Sequence, residues 1–300
     1  MSKVGIIGLG HVGSDIAYTL CTKGQVDELV LIDKNKEKVI AEYLELTDSM
    51  MMTEVKTTIL LNEYRHLNDA DIIVISVGSQ SIDNEDRVSE LNDNKQAVKE
   101  IIPQVVSSGF KGIFLVITNP CDVITTLVHR ESGFPAYRVI GTGTSLDTNR
   151  MKRIVGEKLG VSGQSINGYV LGEHGESQFV AWSTVMVGTQ KLLDVVSLSE
   201  DELEEMKEAT RLGGWEIHQR KSWTSYGIAS TTSRLIQSIL KDEKKIYPLS
   251  IYQEKDNIHI GYPAVLGKRG IVKALSLDLT KKEDLLFRQS VEQVTQYLEQ

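Results

Sequence analysis

Residues 4–13 read Val-Gly-Ile-Ile-Gly-Leu-Gly-His-Val-Gly. An apolar β-branched run passes directly into a G-x-G-x-x-G turn formed by Gly8, Gly10 and Gly13, with Val12 inside it, and then into a helical pattern. Glycines so placed allow a tight turn, close approach of backbone to a pyrophosphate, and packing of helix on strand. Alone, the turn is weak. Asp33 strengthens it by standing at the end of the second apolar run, Leu29–Ile32, 20 residues after Gly13. A carboxylate there accepts hydrogen bonds from the ribose hydroxyls of an adenosine and repels a 2′-phosphate. Together these residues form a Rossmann fingerprint and favour NAD over NADP.

Further short runs follow outward to about residue 140: Thr57–Leu61, Ile72–Val77, Ile113–Thr118 and Val139–Ile140. They alternate with longer helical patterns, which predicts a parallel doubly wound sheet. From 141 the pattern changes. A helix around Leu146–Leu159 precedes strand-like Ser165–Leu171 and a long helix whose start is signalled by Ser199 and Glu202, a capping box. Another helix near Ala229–Leu240, hairpin-like strands near Ile246–Tyr252, Ile258–Gly261 and Ile271–Leu275, and a last helix from about Lys282 complete the chain. The fold class is α/β: a Rossmann NAD-binding domain over 1–140, then an α+β catalytic and substrate-binding domain over 141–300. A chain of 300 residues exceeds the usual span of one hydrophobic core, so two lobes with a cleft and an extensive interface are expected.

The formal charge of −8, with no long basic run, disfavours nucleic acid and anionic membrane as partners. An anionic substrate therefore needs a local positive site. Cys21 and Cys121 are too few for a disulfide framework and lack metal-ligand spacing, so no metal is expected and a reducing, cytoplasmic compartment fits. The first apolar strand begins at Val4, leaving no room for a signal peptide. No apolar run approaches the ~18 residues of a membrane span.

Four polar segments interrupt the apolar pattern. They are Val77-Gly78 leading to Asp86-Arg87, then Thr118-Asn119-Pro120, Leu146-Asp147-Thr148-Asn149-Arg150, and Gly172-Glu173-His174-Gly175. Their order and spacing resemble the L-lactate/malate dehydrogenase family across essentially the entire chain. Gly172–Ser183, Gly141–Arg150 and Trp223–Ala229 resemble most closely the L-2-hydroxyisocaproate dehydrogenase branch. The resemblance implies reversible hydride transfer between NADH and a 2-oxo acid. Such a reaction puts negative charge on the carbonyl oxygen, and His174 is the natural proton donor near neutral pH. Asp147 would hold its tautomer and stabilise the imidazolium. Arg150, one helical turn beyond Asp147, offers two parallel hydrogen bonds to the substrate carboxylate. Arg87 would polarise the carbonyl oxygen once its loop closes. The family also places Asn119 between nicotinamide ribose and substrate oxygen, Gly78 and Thr118 along the cofactor, and a cis peptide before Pro120.

Substrate choice rests on other positions. The family's malate-selecting arginine falls at Ser81, and Asp83, Glu85 and Asp86 nearby repel a second carboxylate, so oxaloacetate is disfavoured. By resemblance Gly213-Gly214 backs onto the substrate side chain, with Thr224 and Ile228 as further wall residues. Two glycines also suit a helix break or junction, since each costs about 1 kcal/mol relative to alanine inside a helix. A widened pocket predicts acceptance of 4-methyl-2-oxopentanoate. The alternatives are a pyruvate-specific L-lactate dehydrogenase, a malate dehydrogenase, and a nucleotide-binding protein without chemistry. An arginine and a histidine that bind sugar bisphosphate in activated relatives fall at Lys152 and Asn167, which argues against strong activation. The family implies a homo-oligomer, dimer or tetramer.

Overall fold

The computed structural model describes residues 1–78 and 87–299, the side chains of 87–89 excepted. Its first half alternates β1 (Lys3–Ile7), α1 (His11–Thr22), β2 (Glu28–Ile32), α2 (Lys36–Met50), β3 (Thr58–Leu61), β4 (Ile72–Ile75), α3 (Arg87–Ser107), β5 (Ile113–Val116), α4 (Cys121–Ser132) and β6 (Val139–Gly141). The six strands are parallel and lie in the order β3-β2-β1-β4-β5-β6. Alternate residues serve opposite faces. Ile6, Leu31, Val74 and Leu115 enter one apolar cluster, while Ile7, Ile32, Ile75 and Val116 enter another. A sheet buried on both sides has no polar face, which is why these runs are continuously apolar. Chain order reverses between β1 and β4, which places a crevice beyond the carboxyl ends of those strands. Strands β4 and β5 end two residues before the apolar runs do, so 76–78 and 117–120 leave the sheet at its carboxyl ends.

The second half holds α5 (Ser145–Leu159), β7 (Ile166–Asn167), β8 (Val170–Leu171), β9 (Phe179–Val180), β10 (Met186–Val187), β11 (Gln190–Lys191), α6 (Leu192–Val195), α7 (Glu200–Lys221), α8 (Tyr226–Leu240), β12 (Lys245–Gln253), β13 (Ile258–Gly267), β14 (Gly270–Ala274) and α9 (Lys281–Glu299). The single strand expected over Ser165–Leu171 is instead two short ones, β7 and β8, in different sheets. Gly168 separates them at φ 138, pressed against Val185. The capping box at α7 forms as read: Ser199 Oγ accepts from Glu202 N at 3.2 Å, and Ser199 N donates to Glu202 Oε2 at 3.0 Å. The helix then runs unbroken through Gly213 and Gly214, so the pair is no break or junction.

Strands β12, β13 and β14 form an antiparallel meander that does not make a sheet of its own. β12 pairs with β6 at Ser250 and Gly141 and extends the parallel sheet to nine strands. An uncovered β6 would leave a row of unpaired backbone groups, and the meander removes that edge. Leu249, Ile251 and Leu266 consequently share one apolar cluster with Ile6 and Leu31. The two halves of the chain are joined by a common sheet and a common core. Among the described residues no helix is long and apolar enough to cross a membrane.

One buried group strains this assembly. His259 on β13 is fully buried, and among the described residues only the Val139 backbone comes near enough to its ring to favour the charged form. Burial first, then the neighbouring His129 and Arg130, push its pKa from 6.5 down to about 3. Tyr252 on β12 and His129 on α4 pack against the ring. Since the unfolded chain takes up this proton below pH 6.5 and the folded chain does not, stability is complete above that pH and declines as pH falls toward 3. Urea midpoints measured at pH 7.5 and 5 should therefore differ less in His259→Phe than in the parent; an equal drop would remove His259 as the cause.

Candidate active site

A seat suited to a dinucleotide is built at the first turn of the sheet. A Cβ on Gly13 would stand 2.0 Å from the Gly8 carbonyl oxygen, so only glycine lets α1 pack this closely on the preceding turn. A Cβ on Gly10, by contrast, would meet nothing within 4 Å. The turn is tight on one side and bare on the other. No side chain caps α1 at Gly10, and its first turn carries no acid. Its leading N–H groups are thus available to an anion. Asp33, just past β2, is clamped beside them by Leu9 N at 2.7 Å and Asn35 N at 2.9 Å. Each carboxylate oxygen retains capacity for a ribose hydroxyl. Bare glycine backbone, open helix donors and a fixed carboxylate suit a dinucleotide.

Gly78 likewise faces open space at its Cβ position, and Val12 is half-buried on α1. Thr118 is buried and turns its hydroxyl to the Ile75 carbonyl at 3.3 Å, away from solvent. Asn119 is exposed, its carbonyl accepts from Asn94 Nδ2 at 2.8 Å, and its peptide bond to Pro120 is cis.

His174 sits in the loop between β8 and β9, where three successive backbone amides are held by three different elements. Gly172 N bonds the Gly261 carbonyl of β13 at 3.0 Å, Glu173 N bonds Ser290 Oγ of α9 at 2.6 Å, and His174 N bonds Asp122 Oδ2 of α4 at 2.7 Å. A loop fixed at each residue aims its side chain with little freedom. The imidazole Nδ1 lies 2.6 Å from Asp147 Oδ2 on the first turn of α5. Asp147 is 1% exposed and His174 28%, so the pair joins a buried carboxylate to a ring that reaches the crevice.

The Asp147 charge is the largest cause raising the His174 pKa, to about 9, against burial, which opposes it. Burial raises the Asp147 carboxyl, but His174 and Arg150 together outweigh it and leave the carboxyl below its usual range. Arg150, three residues along α5, donates from Nη1 to Asp147 Oδ1 at 2.9 Å. One carboxylate therefore orients both an imidazole and a guanidinium.

Asp122 escaped the sequence reading. It is buried beside Cys121, accepts from His174 N and from Ser250 Oγ, and burial pushes its pKa up to about 6. It ties α4, β12 and the His174 loop together. An acid two residues after Pro120 carries no motif of its own, and its partners lie far along the chain.

Gly213 and Gly214 lie against Arg150. Added Cβ atoms would stand 3.1 Å from Arg150 Cδ and 3.3 Å from its Nη2. The pair gives the guanidinium room within a continuous helix. Thr224 lies half-buried in the connector from α7 to α8. At the start of α8 a Cβ on Gly227 would come 3.1 Å from Leu146 Cδ1, which sets that connector close to the end of α5 bearing Asp147. Ser81 and the Arg87 side chain lie outside the described residues, as do Asp83, Glu85 and Asp86.

Residues 2–141 match the family profile described as lactate/malate dehydrogenase, NAD binding domain, and residues 144–300 match the lactate/malate dehydrogenase, alpha/beta C-terminal domain. The chain is 35% identical to L-lactate dehydrogenase 2 of Enterococcus faecalis over 304 residues, 99% of this chain and 96% of that protein. It is 38% identical to L-lactate dehydrogenase 3 of Bacillus cereus over 306 residues, 99% and 96% of the two lengths. The crystal structure of a minor L-lactate dehydrogenase from Enterococcus mundtii, in its ligands-bound form, superposes with a TM-score of 0.95 at 36% identity, covering 99% of this chain and 98% of that one. With both halves of the chain matched and full-length relatives well above 30% identity, the chain belongs to the lactate/malate dehydrogenase family.

Proposed function

We propose that His174, Asp147 and Arg150 carry out proton transfer and carboxylate binding in the interconversion of a 2-oxo monocarboxylic acid and its L-2-hydroxy acid. As a member of its family the chain is an NAD-dependent L-2-hydroxy acid dehydrogenase. The observation that carries the residue roles is the single buried carboxylate of Asp147 bonded to both the imidazole and the guanidinium. A dinucleotide held at the glycine turn and Asp33 would supply or accept the hydride through its nicotinamide. Protonated at Nε2 and held through Nδ1, His174 delivers a proton to the carbonyl oxygen as charge develops there. The free edge of the Arg150 guanidinium grips the substrate carboxylate. Arg87 is assigned to polarise the carbonyl and Asn119 to bridge ribose and substrate oxygen.

On specificity we read a widened side-chain pocket bounded by Gly213, Gly214 and Thr224, with Ser81 leaving oxaloacetate without a cation. The contact of both glycines with Arg150 favours a second reading, in which they serve carboxylate binding alone and pyruvate is the substrate. Residues 1–140 form the cofactor domain and 141–300 the catalytic domain in this reading. Exposed Ile40 and Leu44 on α2 and Ile217 on α7 support a homo-oligomer.

Reduction needs the imidazolium, so kcat/KM for the oxo acid should hold to about pH 9 and fall above it, with L-2-hydroxy acid oxidation showing the reverse limb. Asp147→Asn removes the chief cause of the raised value and should shift that limb to lower pH. His174→Asn should lower kcat by about 10²–10⁴-fold. Wild-type turnover after the histidine change would remove it from the mechanism.

The pocket is tested by NADH oxidation with pyruvate, oxaloacetate and 4-methyl-2-oxopentanoate. The widened pocket requires the branched acid to match or exceed pyruvate in kcat/KM, and a preference for pyruvate of about a hundredfold excludes it. Replacing Gly213 and Gly214 by alanine separates the two roles. Loss confined to the branched acid assigns the glycines to the pocket wall; equal loss for both acids assigns them to the seat of Arg150.

A further inference from the structure

His11 is the first residue of α1 and stands between the second and third glycines of the cofactor turn. Its ring does not project freely. It lies flat on the indole of Trp223, with centroids 4.2 Å apart and planes 6° from parallel. Trp223 is 38% exposed, and the Lys221 ammonium lies 5.4 Å from its ring centroid.

The two rings come from opposite halves of the chain, and each stands next to a binding element. His11 belongs to the helix turn whose uncapped N–H groups would receive a dinucleotide. Trp223 belongs to the connector Ser222–Ser225, directly before Thr224. That connector is held at both ends. Ser222 takes the left-handed conformation, φ 71, with its N–H on the His218 carbonyl at 2.7 Å, and Ser225 is buried. Between those anchors the flat ring pair ties the connector to α1, on which α8 also packs.

We propose that the His11–Trp223 stack is a positioning couple that sets the Thr224 connector against the dinucleotide-binding turn, so that a bound dinucleotide and the oxo acid strengthen each other's binding. The proposal rests on the reading of Thr224 as part of the substrate wall. Coupling of this kind is reciprocal, and it is carried by a contact that touches neither ligand's reacting atoms. The imidazole and the indole act as one unit, so either partner's loss should have the same effect.

The test uses the full chain with His11→Leu, Trp223→Leu, the double variant and His11→Phe, which keeps a flat ring. Each leucine variant should raise the KM for the oxo acid at saturating NADH by about two- to tenfold while kcat stays within about twofold. The double variant should lose no more than either single one, and His11→Phe should restore most of the KM. Additive losses, an unchanged KM, or failure of phenylalanine to rescue would each overturn the couple. A second measurement needs no turnover. With Trp182 and Trp215 replaced by phenylalanine, Trp223 is the remaining indole, and NAD⁺ should shift its emission in that parent but not after His11→Leu. Indifference of the parent's emission to bound NAD⁺ sinks the couple. Absence of turnover with every 2-oxo acid, with the emission response intact, sinks instead the reading of the reaction.

Discussion

An imidazole and a guanidinium are arranged around one buried carboxylate. Asp147 is almost wholly removed from water, and an isolated charge there would cost several kcal/mol in desolvation. Two cationic partners, His174 and Arg150, keep it ionised. The same attraction makes the imidazole a stronger base and leaves its other nitrogen free of the carboxylate. A single solvation problem is thereby solved by the two groups to which we assign proton transfer and carboxylate binding.

That solution depends on parts brought from distant sequence. Asp147 and Arg150 share a helix face, but His174 reaches them only because its loop is pinned to β13, α4 and α9. Two of those three attachments involve the antiparallel meander, directly through Gly261 or through Ser250 on Asp122. The meander is in turn held by β6, the last strand of the nucleotide-binding sheet. Closing the sheet edge and aiming the histidine are therefore one structural event. A Gly261 side chain could not be accommodated at that junction, since its Cβ would stand 2.4 Å from the Gly172 carbonyl oxygen.

The glycine pair on α7 shows how a local signal acquires meaning from its neighbours. Two glycines inside a helix lower its intrinsic stability, and along the chain they look like punctuation. The helix continues because the capping box fixes its start and packing on α5 carries its middle. Added methyls would crowd the Arg150 guanidinium of α5, a neighbour that the sequence of α7 does not reveal.

Much of this protein was legible before any coordinates. Strand and helix positions follow from apolar periodicity, because burial on both faces of a parallel sheet requires continuous apolar runs and an amphipathic helix requires a 3.6-residue repeat. The glycine turn, Asp33, and the Asp147–Arg150 spacing are local, so short motifs expose them. The splitting of Ser165–Leu171, the joining of both halves in one sheet, the clamp on the His174 loop, and the buried Asp122 were decided by tertiary structure alone. Each depends on contacts between residues far apart in the chain, and such contacts leave no periodicity or spacing to read.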